Sequence, residues 1–274
     1  MQIYNKNSSI VLENVATFNA ALTFDCGQAF RWTENSDGSW HGIVRGNAVN
    51  VTQKENSLII SGSVSHDDET LWREYLDLDR DYEAICERLK ADKYLKLAVE
   101  QYPGIRILHQ DSWEALCSFI ISQNNNIPRI KGIIDRLCAN FGDDLGNGDF
   151  SFPSAERLAE LTVDDLSELR AGFRAKYIID AAQKVASGEV NLKKMSDCDI
   201  DEARNELQII KGVGAKVAEC TLLYGCGRID AFPVDVWVRR IMAELYPDGL
   251  PVCTDNVEGI AQQYLFHWRR NLKE

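Results

Sequence analysis

The most constraining feature of the sequence is a change in hydrophobic periodicity near residue 67. Before it, short segments alternate apolar with polar residues and are rich in β-branched and aromatic side chains, which is typical of β-strands. Turn signals at Asp37-Gly38, Gly46-Asn47 and Glu55-Asn56 separate them. This regular short spacing favours an antiparallel sheet over βαβ units. The predicted strands lie in SIVLENV, LTFDC, AFRWT, SWHGIV, NAVNVTQ and SLIISGSV.

After the change, apolar residues recur three and four positions apart almost to the C-terminus, which predicts helices. The segments DETLWREYLDL and DYEAICERLKAD begin this pattern, and it resumes after a break at Tyr102-Pro103-Gly104. Cap signals at Asp111, at Ser154 and at Thr254 with Asp255 mark helix starts. Beyond the break the predicted helices cover 111–122, 127–140, 154–160, 163–170, 175–187, 200–209, 214–224, 235–246 and 254–267.

Together the two patterns predict an α+β protein of two domains. An N-terminal antiparallel sheet with accompanying helices would occupy residues 1–110, and an all-helical domain would occupy 111–274. No apolar run reaches the ~20 residues of a membrane span, and no basic segment precedes an apolar stretch at the N-terminus. With no nuclear-localisation run either, we expect a cytoplasmic protein.

Charge and cysteine content limit the classes of partner and site. A formal net charge of −12 argues, taken alone, against binding to nucleic acid. The acidic residues are clustered, however, in HDDETLWREYLDLDRDYE and FGDDLGNGDF, so a local basic face is compatible with the composition. The eight cysteines include no C-x-x-C pair, which argues against a zinc ribbon or a small disulfide framework and favours buried, reduced thiols.

The stretch LQIIKGVGAKVAECTLL, residues 207–223, carries the most chemical information. One helical pattern ends at Ile210, Gly212-Val213-Gly214 forms a tight turn, and a second apolar face opens with Val217. Glycines in such a turn let backbone N–H groups approach an anion at the start of the second helix. The pattern predicts a helix-hairpin-helix that binds a DNA phosphate without reading sequence, with an ordinary helix–helix turn as the alternative.

A lysine and an aspartate accompany this hairpin. Lys216 lies in the first turn of the second helix, and Asp235 follows Pro233-Val234 nineteen residues further on, so the two can converge on one cleft. A helix N-terminus disfavours a cation, which argues against a plain surface role for Lys216. The same position favours an anion, so Asp235 also suits an N-cap. Phosphate binding alone would need neither residue.

The sequence GVGAKVAEC followed by PVDV is similar to the helix-hairpin-helix DNA glycosylases that end in Gly/Pro…Asp. Four more segments resemble the 8-oxoguanine DNA glycosylase branch of that superfamily: CGQAFRW (26–32), SFIISQNNNIPRIKGIIDRLCANFG (118–142), GFRAKY (172–177) and GIAQQYLFHW (259–268). They follow the family's order across nearly the whole chain, which is far more specific than the hairpin alone. The resemblance implies a TATA-binding-protein-like sheet domain followed by an all-α helix-hairpin-helix glycosylase domain.

The activity implied is that of a bifunctional glycosylase/AP lyase for 8-oxoguanine opposite cytosine. In this family the hairpin lysine is the nucleophile, so the resemblance gives Lys216 that role. Its neutral amine would attack C1′ of the deoxyribose and expel the base, and β-elimination from the Schiff base would cleave the strand 3′ to the abasic site. Asp235 would stabilise the positive charge on the sugar.

The resemblance also assigns a base pocket to Gly27, Cys220, Gln262 and Phe266. The Gly27 carbonyl would accept the N7–H of 8-oxoguanine, a proton that guanine lacks. Gln262 would bind the Watson–Crick edge and Phe266 would stack on the base. Cys220 would line the pocket from the face of Lys216; without the family match, a buried apolar cysteine is the commoner explanation.

The DNA-binding residues implied are Asn124, Arg129, Phe173, Arg174, Gly212, Gly214 and Trp237. Asn124 would fill the gap left by the flipped nucleotide. Arg129 and Arg174 would read the orphaned cytosine, and Phe173 would insert beside it. Two positions depart from the animal branch, since Phe173 replaces a tyrosine and Trp237 replaces a histidine, which leaves the contact of Trp237 open.

The resemblance implies a monomer whose partner is double-stranded DNA containing an oxidised purine, with no required cofactor. Cys220, Cys226 and Cys253 lack the spacing of the iron–sulfur loop of related glycosylases, so we expect no cluster. A structural cation at the hairpin is compatible with the pattern. Three alternatives stay open: a lyase for a different oxidised base, a non-catalytic helix-hairpin-helix DNA-binding module, and a protein-interaction domain.

Overall fold

The computed structural model describes residues 1–6, 8–65 and 68–272. Six strands form one antiparallel sheet in the order β1-β2-β6-β5-β4-β3. Arg45 and Gly46, both at positive φ, form the two-residue turn between β4 and β5, which confirms a turn at Gly46-Asn47. The strands are β1 (Gln2–Lys6), β2 (Ser9–Glu13), β3 (Trp32–Glu34), β4 (Trp40–Val44), β5 (Asn47–Lys54) and β6 (Ser57–Gly62).

One strand prediction is wrong, and one strand was not predicted. The first three residues of the segment LTFDC lie in a helix, α1 (Ala20–Phe24), whose cap Asn19 accepts a hydrogen bond from the Leu22 N–H at 3.0 Å. The Phe24 ring stacks on Trp32 at 4.0 Å, so its apolar residues cover the sheet instead of joining it. Strand β1 is mostly exposed, and it therefore carries little hydrophobic alternation to detect.

Eleven further α-helices follow β6 in the described part of the chain. They are α2 (Glu69–Tyr75), α3 (Tyr82–Leu89), α4 (Lys93–Gln101), α5 (Ser112–Ser122), α6 (Ile127–Phe141), α7 (Ala155–Ala159), α8 (Ala175–Ala186), α9 (Ile200–Leu207), α10 (Ala215–Gly225), α11 (Val236–Leu245) and α12 (Glu258–Asn271). A short hairpin, β7 (Asp144–Gly146) with β8 (Asp149–Phe150), lies between α6 and α7. The caps predicted at Asp111 and Ser154 are confirmed by their hydrogen bonds to the first turns of α5 and α7. Residue 67, where the periodicity changes, lies outside the described residues.

Two predicted helices need correction. Over 163–170 the chain makes successive three-residue turns, with a 3₁₀ helix only at Ser167–Leu169, and it ends with Arg170 in the left-handed region at φ +54°. The last helix begins at Glu258 rather than near Thr254. The residue at the cap position is Val257, so neither Thr254 nor Asp255 acts as the predicted cap, and the Thr254 hydroxyl instead donates to the Pro251 carbonyl at 2.8 Å.

Buried apolar side chains form two cores. The smaller core lies under the sheet and includes Trp32 and Trp72, whereas the larger one fills the helical part of the molecule. Tyr82, Leu89 and Leu95 belong to the larger core, so α3 and α4 pack with the helices that follow them. A domain boundary after residue 110 stays a prediction. None of the helices in the described ranges has the length and apolar character needed to span a bilayer.

A buried glutamine joins the segment before β3 to the segment that leads into α5. The Nε2 of Gln28 donates to the carbonyls of Thr23 (2.9 Å) and Arg106 (2.7 Å), and its Oε1 accepts from the Leu108 N–H at 2.9 Å. A buried amide without partners would cost about 1–3 kcal/mol. These bonds therefore fix the position of residues 23–28 against the helical part.

The ion pair between Arg31 and Glu114 forms a second link, with an N–O distance of 3.4 Å. Burial raises the pKa of Glu114 to about 7, although the charge of Arg31 acts in the opposite direction. The folded protein therefore holds a proton at this carboxyl that the unfolded chain releases above its ordinary pKa of 4.5. The contribution of Glu114 to stability consequently falls as the pH rises between these two values.

We expect Glu114→Gln to gain stability relative to the wild type over this pH interval. The difference in unfolding free energy should shift by up to about 3 kcal/mol in favour of the variant, since one pKa unit corresponds to about 1.4 kcal/mol. Denaturant unfolding at about pH 5 and about pH 8 measures this shift, and the exposed Glu156, changed to Gln, serves as the control. A difference that does not vary with pH would show that Glu114 does not titrate in this interval.

Candidate active site

The turn between α9 and α10 contains two glycines that are needed for different reasons. Gly212 has φ +81°, and a Cβ there would lie 2.4 Å from the ring of Tyr177, so the chain's own conformation and packing require glycine. Gly214 has φ −97°, and a Cβ there would meet nothing within 4 Å. Neither backbone conformation nor packing explains Gly214. The space beside it leaves the N-terminus of α10 open to an anion.

We expect Gly214→Ala to weaken binding to duplex DNA while changing the unfolding free energy by less than about 0.5 kcal/mol. The added methyl group would occupy the space through which a phosphate reaches the N–H groups of α10. Gly212→Ala is the matched comparison, because it must displace Tyr177 and should lower the melting temperature. Fluorescence anisotropy at fixed ionic strength measures the affinity. Unchanged affinity in Gly214→Ala would exclude a phosphate at this position.

Lys216 is half-buried in the first turn of α10. Its Nζ donates to the Ser122 Oγ at 3.2 Å and lies 4.9 Å from the centre of the Phe119 ring. Both partners belong to α5, so the amine points towards a neighbouring helix and not into open solvent. This placement sets Lys216 apart from an ordinary surface lysine.

Cys220 lies one turn beyond Lys216 and is buried. Burial raises the pKa of Cys220 to about 11, while the charge of Lys216 lowers it and the charge of Asp235 raises it. The thiol is therefore protonated at neutral pH. Asp235 caps α11, since its Oδ1 accepts from the Val238 N–H at 2.8 Å. The charges of Lys216 and Asp235 thus act on the same thiol in opposite directions.

Consecutive contacts connect this region to the residues predicted for the base pocket. The Phe119 ring stacks on Tyr224, with centroids 5.2 Å apart. The Tyr224 hydroxyl donates to the Gln263 Oε1 at 2.6 Å and lies 3.4 Å from the Oε1 of Gln262. Gln263 in turn donates to the carbonyl of Cys26 at 3.3 Å. Helices α5, α10 and α12 thus meet the N-terminal segment that contains the next residue, Gly27.

Gly27 lies against the Phe266 side chain, as the predicted pocket requires. Its φ is +88°, and a Cβ there would lie 3.7 Å from the Phe266 Cε1. The available space would admit a methyl group, so the left-handed backbone is what favours glycine. The structure therefore brings Gly27 and Phe266 together, and Tyr224 connects Gln262 on the same helix to α10.

A second group of predicted residues lies where α5 ends. Asn124 is exposed at φ +47°, two residues after Ser122. Arg174 is only 2% exposed, and its guanidinium donates to the carbonyls of Gln123 (3.0 Å) and Asn124 (2.9 Å). It also lies 4.4 Å from the centre of the Phe173 ring. Arg174 thus supports the Asn124 turn from inside.

The remaining predicted DNA contacts are accessible. Arg129 is exposed on α6 and makes a long bond of 3.5 Å to the Arg170 carbonyl. Phe173 is 48% exposed, as an inserting side chain requires. Trp237 is 38% exposed on α11, and Arg240 lies 5.4 Å from the centre of its ring. This ring contact assigns no role in DNA binding to Trp237, and its role stays open.

Within 1–6, 8–65 and 68–272, no three His, Cys, Asp or Glu side chains are grouped so as to hold a metal ion. A cation at the hairpin would be bound by backbone carbonyls, and the positions of these side chains do not test such a site. The hairpin cation and the expected lack of an iron–sulfur cluster both stay predictions.

Sequence reasoning missed four residues of this region: Phe119, Ser122, Tyr224 and Gln263. Ser122 lies in the segment SFIISQNNN, so its hydroxyl beside the polar turn was a usable signal. Tyr224 and Gln263 join α10 to α12 across the core. No local pattern reveals such a contact, because it depends on how two distant helices pack.

Two family models match the chain. Residues 10–116 match the N-terminal domain of 8-oxoguanine DNA glycosylase, and residues 117–249 match the HhH-GPD superfamily of base excision DNA repair proteins. The N-glycosylase/DNA lyase of Saccharomyces cerevisiae is 33% identical over 82% of this chain, which spans 68% of the yeast protein. The chain belongs to the 8-oxoguanine DNA glycosylase/lyase family. The family predicted from the sequence, and with it an enzyme of DNA repair, is confirmed.

Solved structures share the whole architecture. MBOgg1 in complex with a low-affinity DNA ligand has a TM-score of 0.93 and 44% identity, and the match covers 98% of both chains. The Clostridium acetobutylicum 8-oxoguanine glycosylase/lyase, in complex with double-stranded DNA containing cytosine opposite 8-oxoguanine, has a TM-score of 0.90 and 36% identity over 98% of both chains. The predicted α+β fold, an antiparallel sheet followed by a helical helix-hairpin-helix domain, is confirmed.

Proposed function

We propose that this protein is a bifunctional DNA glycosylase/AP lyase that excises 8-oxoguanine opposite cytosine. The observation that carries the proposal is the position of the Lys216 amine, which projects from α10 and contacts Ser122 and Phe119 of α5. The charges of Lys216 and Asp235 both act on the pKa of the Cys220 thiol. The likeness to a Clostridium acetobutylicum enzyme seen with cytosine opposite 8-oxoguanine supports the choice of substrate.

The reaction uses the amine of Lys216 in its neutral form. Its lone pair attacks C1′ of the flipped nucleotide, the bond from C1′ to the base breaks, and the base leaves with a proton. The bond from C1′ to the ring oxygen O4′ then breaks, O4′ takes a proton released by the amine, and the nitrogen lone pair forms the C=N bond of a Schiff base. This protonated Schiff base acidifies the proton at C2′. Loss of that proton breaks the bond from C3′ to its phosphate oxygen, which cleaves the strand on the 3′ side of the lesion.

Asp235 supplies the negative charge that stabilises the cationic sugar. The hydrogen bond from the Val238 N–H and the N-terminus of α11 hold its carboxylate in place before the substrate arrives. A preorganised charge needs no reorganisation when the transition state forms, which is why such groups contribute about 100–1,000-fold in rate.

The base pocket discriminates through one proton. The Gly27 carbonyl accepts the N7–H of 8-oxoguanine, whereas guanine would present a lone pair to that oxygen. Phe266 stacks on the base, Gln262 binds its Watson–Crick edge, and Cys220 lines the pocket with a neutral thiol. An oxidised pyrimidine lacks this N7–H, so a panel of defined lesions opposite each of the four bases tests the pocket directly.

Borohydride trapping tests the nucleophile. We expect the wild type to form a covalent adduct with lesion-containing duplex and Lys216→Gln to form none, since the amide has no attacking lone pair. Asp235→Asn should keep its affinity for DNA and lose about 100–1,000-fold in rate. Lys211→Gln, in the same hairpin but with a side chain 78% exposed, is the control. Trapping of Lys216→Gln at the wild-type rate would identify another amine as the nucleophile.

The exposed Arg129 and the buried Arg174 should differ when each is changed to Ala. Arg129→Ala removes a side chain available to the orphaned cytosine, so discrimination against other partner bases should fall by about 1–3 kcal/mol. Arg174→Ala removes support for the Asn124 turn and should slow excision opposite every base. Single-turnover rates opposite the four bases measure both effects. Equal slowing by Arg129→Ala opposite all four would show that Arg129 only binds backbone.

A further inference from the structure

Glu219 lies on α10, one turn beyond Lys216, and is 9% exposed. Its Oε2 accepts a hydrogen bond from the Phe232 N–H at 2.6 Å, and its Oε1 accepts from the Nε of Arg204 at 2.5 Å. A buried carboxylate requires such partners. Here they come from two different elements, because Arg204 belongs to α9 and Phe232 to the loop between α10 and α11.

The short segment from Phe232 to Asp235 connects the hydrogen bond at the Phe232 N–H to the Asp235 carboxylate. Only Pro233 and Val234 lie between the two positions, and the buried Pro233 has a fixed φ. The residue before a proline is itself restricted to extended conformations. Few soft torsions therefore remain between the anchored N–H and the Asp235 carboxylate, so the position of one limits the position of the other.

We propose that Glu219 is a positioning residue that sets Asp235 relative to Lys216. Lys216 and Glu219 share one turn of α10, so a bond from Glu219 to the loop fixes the spacing of the amine and the carboxylate. Arg204 holds the second oxygen of Glu219 and so orients its carboxylate. The inference rests on the proposed function for the roles of Lys216 and Asp235.

Reaction rate is far more sensitive to this spacing than binding is. A misplacement of about 1 Å at a reacting centre costs about 100-fold in rate. The glycines that would bind the phosphate precede Lys216 in the chain, whereas Glu219 follows it. DNA affinity should therefore not depend on the loop between α10 and α11. If the ion pair of Glu219 with Arg204 were purely structural, its loss would lower stability and leave the rate of the folded enzyme unchanged.

The first test compares Glu219→Ala with Asp201→Ala. Glu219→Ala removes the acceptor for the Phe232 N–H, whereas Asp201→Ala removes only the other partner of Arg204, at 2.7 Å. On duplex with 8-oxoguanine opposite cytosine, we expect Glu219→Ala to lower the single-turnover rate by about 10–100-fold with Kd within about threefold. Asp201→Ala should react at the wild-type rate. A wild-type rate for Glu219→Ala, measured below its melting temperature, would overturn the proposal.

The second test is a double-mutant cycle with Asp235→Asn. If Glu219 acts through Asp235, then adding Glu219→Ala to Asp235→Asn should change the rate by less than about threefold. Additive losses would show that Glu219 acts elsewhere. Should Glu219→Ala not fold, Glu219→Gln serves the same cycle, because its amide keeps one acceptor oxygen and puts an NH2 donor in place of the other, so the bond from Arg204 or the bond from the Phe232 N–H is lost.

The two proposals fail in different ways. If the wild type excises no lesion and forms no covalent adduct with any lesion-containing duplex, the proposed function is overturned and this inference with it. A wild type that excises a lesion other than 8-oxoguanine overturns only the choice of substrate, and the cycle is then measured on that lesion. An active wild type with additive losses overturns only the role of Glu219.

Discussion

The packing of α10 on α5 is the constraint on which the rest of the site depends. It directs the Lys216 amine onto Ser122 and Phe119, and the same helix α5 ends two residues later in the Asn124 turn. One helix therefore positions both the proposed nucleophile and the segment proposed to replace the flipped nucleotide. A shift of α5 would move the chemistry and the DNA contact together, which keeps their geometry consistent when DNA is bound.

The sheet domain contributes to this arrangement through polar contacts at its border with the helices. Gln28 and the pair of Arg31 with Glu114 anchor the segment around Gly27 to the chain that leads into α5. Buried polar groups have strict partner requirements, so these contacts define one relative position where apolar packing alone would tolerate small slides. The proposed base pocket can thus be rigid although its residues come from distant parts of the sequence.

Local patterns in the sequence predicted the elements and motifs of this fold better than their ends and connections. The periodicity change and the glycines of the hairpin are local signals, and the structure confirms the sheet, most of the predicted helices and the turn. Helix α1 was missed because Leu22-Thr23-Phe24 alternates as in a strand, and Thr254 was misassigned because the last helix is preceded by Val257, which gives no cap signal. Glu219 and Tyr224 escaped notice because their partners are set by tertiary packing alone.

Net charge was the weakest guide to function, and the hairpin explains why. Backbone N–H groups at a helix N-terminus attract a phosphate without any side-chain cation, so a chain of net charge −12 can still offer a local anion site. Gly214 leaves that terminus uncovered, and Arg129 adds one exposed positive charge on a neighbouring helix. Affinity for DNA depends on the groups that reach the phosphates, and charge elsewhere on the surface mainly changes the rate of encounter.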